Sequence, residues 1–80
     1  MNKEVLKIIA NAASENNMNL NFSKVKGNEL LSELNLDSLN SIALVVSIEN
    51  KHGIHIPDEE LTKIKTIGDF VNVLERHLKK

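Results

Sequence analysis

The sequence predicts an all-α protein, with three main helices and one short helix packed helix on helix and a long loop between the first and second. Three observations predict it. Apolar residues recur at helical spacing in three runs. The residues between those runs are ones that cap and break helices. The apolar content is aliphatic: of 80 residues only Phe22 and Phe70 are aromatic, with no Trp or Tyr. Ile, Leu and Val must therefore build the core, which suits helix packing with short-range contacts.

The first helix is expected over about residues 2–15, where Val5, Ile8, Ile9, Ala12 and Ala13 fall at helical spacing. Asn16, Asn17, Asn19 and Asn21 end it, because Asn favours caps and turns over helix interiors. Residues 18–36 form the long connection, tacked to the core by Leu20, Phe22 and Val25, broken at Gly27, with a short helical turn over 28–34. The second helix is expected at 38–52, with Asp37 as its N-cap and Gly53 as its C-terminal cap. Pro57 opens a short third helix, 57–63, with Asp58, Glu59 and Glu60 placed to suit the dipole in its first turn. Thr66 caps the fourth, with Asp69 three residues on in a loose capping box. Ile67, Phe70, Val71, Leu74 and Leu78 line its inner face, and Lys79 and Lys80 complement its C-terminal end.

The second helix has more apolar surface than one core stripe needs. Leu44, Val45 and Ile48 can face inward; Leu39, Ile42 and Val46, at i, i+3 and i+7, then form a second stripe. A helix apolar nearly all round is either deeply buried or binds something. Deep burial on every side is implausible in four helices of this size, so the second stripe is a candidate docking surface.

Length gives one domain, 1–80, near the lower limit of what folds alone. With no Cys there is no disulfide and no Cys-ligated metal site, and any thiol chemistry must come from an added group. No secretory signal or membrane span is evident, so the expected location is the cytoplasm. Net charge is −1, but its distribution is uneven. Residues 37–60 set Asp37, Glu49, Asp58, Glu59 and Glu60 against Lys51 alone, while 61–80 are net basic. No basic stripe with interleaved aromatics exists, which argues against nucleic-acid binding.

Asp37-Ser38-Leu39 lies where the Asn-rich segment gives way to the second helix. A helix N-terminus has unpaired N–H groups and the positive end of the dipole, so a serine there is a place to attach a phosphodiester. Leu34-Asn35-Leu36 precedes the motif, Leu39 to Val46 follow it, and Ile56-Pro57-Asp58-Glu59-Glu60 comes about twenty residues later. Together these resemble the acyl carrier proteins, and the likeness spans nearly the whole chain. The resemblance implies a small four-helix bundle with 4′-phosphopantetheine, taken from coenzyme A by a phosphopantetheinyl transferase, attached covalently to Ser38. It also implies that the thiol of that arm carries acyl groups as thioesters between acyl-loading and acyl-processing enzymes of a fatty-acid, lipid or polyketide pathway, while the departure of the second helix from the family's acidic pattern points to a specialised one. Asp37 then helps hold the transferase's Mg²⁺. Partners dock through Leu39, Ile42, Val46 and Glu49, with Asp58, Glu59 and Glu60 available to basic enzymes. Acyl chains fold back between helices lined by Val45, Ile48, Ile67 and Val71. The carrier is not itself an enzyme, holds no metal and works as a monomer. Two departures from the family pattern stand out: Asn35 stands near where a Gly is usual before the Asp, and Ala43 occupies a position often acidic.

The competing readings are weaker. A nucleophilic serine needs a base within reach, yet His52 lies fourteen residues along the same helix, roughly 21 Å away, and no Gly-x-Ser-x-Gly elbow surrounds Ser38. His52 and His55 have His-x-x-His spacing but no convincing third ligand; His52 is expected instead to pack at the end of the second helix. An aminoacyl or peptidyl carrier more often has Gly-Gly before the motif. An unmodified helical adaptor using the same apolar stripe is the alternative from another class.

Overall fold

A computed structural model of the chain describes residues 2–18, 20, 22, 25–34 and 36–78, with Ser38 described by its backbone. Four α-helices are found among the described residues: α1 (Lys3–Glu15), α2 (Ser38–His52), α3 (Asp58–Leu61) and α4 (Ile67–Leu78), with a 3₁₀ turn at Leu31–Leu34 in the long connection. The all-α class holds, and α2 has the bounds its sequence pattern predicts.

Each main helix starts where a polar side chain satisfies first-turn amides. Asn2 accepts from the amides of Glu4 and Val5 at 2.9 and 3.3 Å and starts α1. Asp37 accepts from the Asn40 amide at 2.8 Å and starts α2. Thr66 and Asp69 form the reciprocal box at α4: the Asp69 amide donates to Thr66 Oγ1, and the Thr66 and Lys65 amides both donate to Asp69 Oδ2, each at 3.1 Å. The stops are equally local. Asn17 takes a left-handed conformation (φ 60°) after α1, and Gly53 does the same (φ 65°) after α2.

Val5, Ile9, Ala12 and Ala13 of α1, Leu44, Val45 and Ile48 of α2, and Ile67, Phe70, Val71, Val73 and Leu74 of α4 form the core, joined by Leu31, Leu36 and Ile56. Leu20, Phe22 and Val25 pack against it from the long connection as expected. That connection is held by a pairing the sequence pattern does not reveal. Leu30 and Thr66 form an antiparallel bridge. Around it the Leu31 amide donates to Lys65 O at 3.0 Å, and the Ile67 and Gly68 amides donate to Glu29 O and Gly27 O at 2.9 Å. Two glycines permit the contact. Gly27 has φ 119°, and a Cβ on Gly68 would lie 2.5 Å from the Gly27 carbonyl oxygen.

Three expectations need correction. His52 is exposed and does not pack, whereas Ile56, after the turn at Gly53, is buried. Pro57 is the N-cap of α3 rather than its first residue, and α3 is a single turn, 58–61, because its hydrogen bonding tightens to three-residue spacing at Lys63 and Ile64. Val73, absent from the expected inner face of α4, is buried. Asn19, Asn21, Asn35, Lys79 and Lys80 lie outside the described residues.

Candidate functional site

Ser38 is the first residue of α2. Asp37, immediately before it, is exposed and uses its carboxylate and carbonyl to receive the amides of Asn40 and Ser41. The N-terminal turn is therefore fixed from outside the helix, and its positive dipole end opens to solvent.

The second apolar stripe of α2 is on the surface. Leu39 is 78% exposed, Ile42 51% and Val46 47%. On the opposite side Leu44, Val45 and Ile48 are buried. The other residues singled out for docking divide into two groups. Asp58 and Glu59 are exposed. Glu49 is half-buried and accepts the Ile56 amide at 2.7 Å, with His55 Nδ1 3.4 Å from the same oxygen, so it shapes the turn between α2 and α3. Glu60 turns toward α4, where Arg76 and His77 approach its two oxygens at 2.8 and 2.9 Å.

Beside the stripe an apolar cleft of about 560 Å³ runs between α2 and α3. Ser41, Ile42 and Val45 form the α2 wall, and Asp58 and Leu61 of α3 with Thr62 and Ile64 just after it form the other. Leu31, Leu36 and Phe70 close it from the long connection and α4. Of the chamber residues expected from sequence, only Val45 lines this space. Ile48, Ile67 and Val71 are buried, with 1% exposure or less. The cleft residues missed by sequence reading come from three separate segments. The spacing of Leu61 and Ile64, three apart after a proline, is the one signal that points to them.

The amides of Lys26 and Gly27 hold the Glu29 carboxyl below its ordinary value, and those of Lys65 and Thr66 do the same for Asp69. Both belong to the pairing between the long connection and α4, away from Ser38. Among the described residues no group of three His, Cys, Asp or Glu is placed to hold a metal ion.

A serine opening a capped helix, an exposed apolar stripe next to it and an apolar cleft behind it define a small carrier-type bundle. The comparisons place it. Residues 4–74 match the family described as phosphopantetheine attachment site. The chain is 41% identical over 68 residues to an acyl carrier protein homolog of Mycoplasma genitalium, covering 85% of this chain and 81% of that one. It is 37% identical over 79 residues to an acyl carrier protein homolog of Ureaplasma parvum, covering 99% and 100%. The crystal structure of acyl carrier protein from Thermotoga maritima superposes with a TM-score of 0.78 at 27% identity, covering 96% of this chain and 88% of that one. The chain belongs to the acyl carrier protein family, whose prosthetic group is covalently attached 4′-phosphopantetheine.

Proposed function

We propose that Ser38 is the attachment residue for 4′-phosphopantetheine and that the chain, a single monomeric domain of the cytoplasm, carries acyl groups for a specialised fatty-acid, lipid or polyketide pathway. The observation that carries this reading is the placement of Ser38 as the first residue of α2 behind an N-cap carboxylate. The residues present fit the group. A phosphodiester at that position meets the positive end of α2, and the exposed Asp37 is an oxygen ligand within reach of a transferase-bound Mg²⁺. The arm supplies the thiol that this cysteine-free chain lacks, and holds acyl groups as thioesters.

The protein's own residues orient and shelter. Leu39, Ile42 and Val46 give the transferase and the acyl-loading and acyl-processing enzymes an apolar surface beside the attachment point, with Asp58 and Glu59 as exposed charges at its edge. Glu49 and Glu60 contribute to docking indirectly, by shaping the turn before α3 and the position of α3 itself. The cleft walled by Val45, Leu61 and Ile64 receives the apolar part of the cargo. The chain performs no reaction of its own and raises local substrate concentration by tethering. The specialised role rests on α2, whose Glu49 is tied into the turn and whose position 43 is Ala. Mass spectrometry of the protein isolated from its native host tests the cargo. An acyl thioester is expected; an aminoacyl thioester, or unmodified protein throughout growth, contradicts the reading.

A further inference from the structure

α3 forms a wall of the cleft, yet no residue of Asp58–Leu61 is buried. A single helical turn cannot hold itself, and with few buried contacts it belongs to the low-stability end of a fold. The half-buried Leu61 and Ile64 supply its apolar contacts with the core. A polar tie to α4 comes from the Glu60 carboxylate. Arg76 Nη2 donates to Glu60 Oε1 at 2.8 Å, and His77 Nε2 lies 2.9 Å from Glu60 Oε2. Glu60 and His77 are well shielded, with side chains 25% and 13% exposed. Two neighbouring partners on one carboxylate fix its direction as well as its distance. Both partners stand on α4, which is locked into the core by Ile67, Phe70, Val71 and Leu74. On the other side of the same turn, Asp58, Leu61 and Thr62 face the cleft at i, i+3 and i+4.

We propose that Glu60 latches α3 to α4 and so sets how far the cleft between α2 and α3 opens. The latch is a property of the unmodified fold; its consequence for cargo rests on the reading of that cleft as the shelter for an acyl chain. Releasing Glu60 frees α3 to swing from α4 while α1, α2 and α4 keep their own packing.

Amide hydrogen exchange on the full, unmodified chain tests this. In Glu60→Ala the amides of Thr62, Lys63 and Ile64 should exchange about tenfold faster, while amides within α1, α2 and α4 change by less than about twofold. Arg76→Ala should produce the same local pattern at smaller size, and decides the matter if Glu60→Ala does not fold. Lys51→Ala, which breaks the exposed pair with Glu15, should leave α3 unchanged. No acceleration at 62–64, or equal acceleration in every helix, overturns the latch. A second arm loads wild type and Glu60→Ala from decanoyl-coenzyme A with a phosphopantetheinyl transferase and follows thioester cleavage by hydroxylamine. Faster cleavage in Glu60→Ala, by about threefold or more, is expected from a chain less enclosed. Failure of wild type to load contradicts the carrier reading. Loosened α3 with unchanged cleavage overturns the control of the cleft by Glu60.

Discussion

Gly68 stands where no side chain fits, since a Cβ there would meet the Gly27 carbonyl oxygen at 2.5 Å. That oxygen is backbone and already accepts the Gly68 amide, so it cannot move aside without losing the bond. Gly68→Ala should therefore destabilise the protein by about 1–3 kcal/mol, despite the gain in helix propensity; a urea midpoint at or above that of wild type contradicts the close approach. The same junction sets part of the acid response. Glu29 and Asp69 each receive two backbone amides that hold their carboxyls below the ordinary range. They bind protons less readily folded than unfolded, so their stabilisation is complete above the unfolded value, about pH 4, and is lost as pH falls through the folded one. Glu29→Gln with Asp69→Asn should lower the urea midpoint at neutral pH and flatten its fall toward about pH 3. An unchanged acid slope contradicts the assignment. His52 is a residue at which sequence misled. One turn after Ile48 it has the spacing of a core position, but it is the exposed last residue of α2.

The helices themselves were legible because their signals are local. Asp37 and Thr66 cap, Gly53 stops, and the apolar period runs between them. The proposed attachment serine was named from its motif together with the family resemblance, and α2 does start at it. What was not legible is what depends on chain segments meeting: the bridge between Leu30 and Thr66, the cleft closed by Leu31, Leu36 and Phe70, and the turn of Glu60 onto Arg76 and His77. None of these carries a periodic signature. At this scale α2 has one side in the core and an apolar stripe on the surface, the stripe we propose partners use. Leu39→Ser and Val46→Ser remove apolar surface that the fold does not use, so each should change stability by less than about 0.5 kcal/mol. If the stripe docks partners, the double variant should lower kcat/KM for loading by an acyl transferase about tenfold. Full loading activity contradicts the docking role; a large loss of stability contradicts the exposure.

For the molecule as a whole, charge gives little help to encounter. Net charge is −1, Lys51 pairs with Glu15 and Glu49 and Glu60 are held in internal contacts, which leaves few acids on the α2 side to steer basic enzymes. Ala43→Glu with Lys51→Glu should speed loading by a general malonyl transferase and make its rate more salt-dependent. Equal rates over a salt series rule that out. These predictions of use all depend on one residue at the start of one helix. The most direct measurement is the intact mass of the protein after incubation with a phosphopantetheinyl transferase and coenzyme A, alongside Ser38→Ala shown to be folded by circular dichroism. The account predicts a gain of one phosphopantetheinyl group in the wild type and none in the variant; modification that persists in folded Ser38→Ala, or a wild type that stays unmodified, would contradict it.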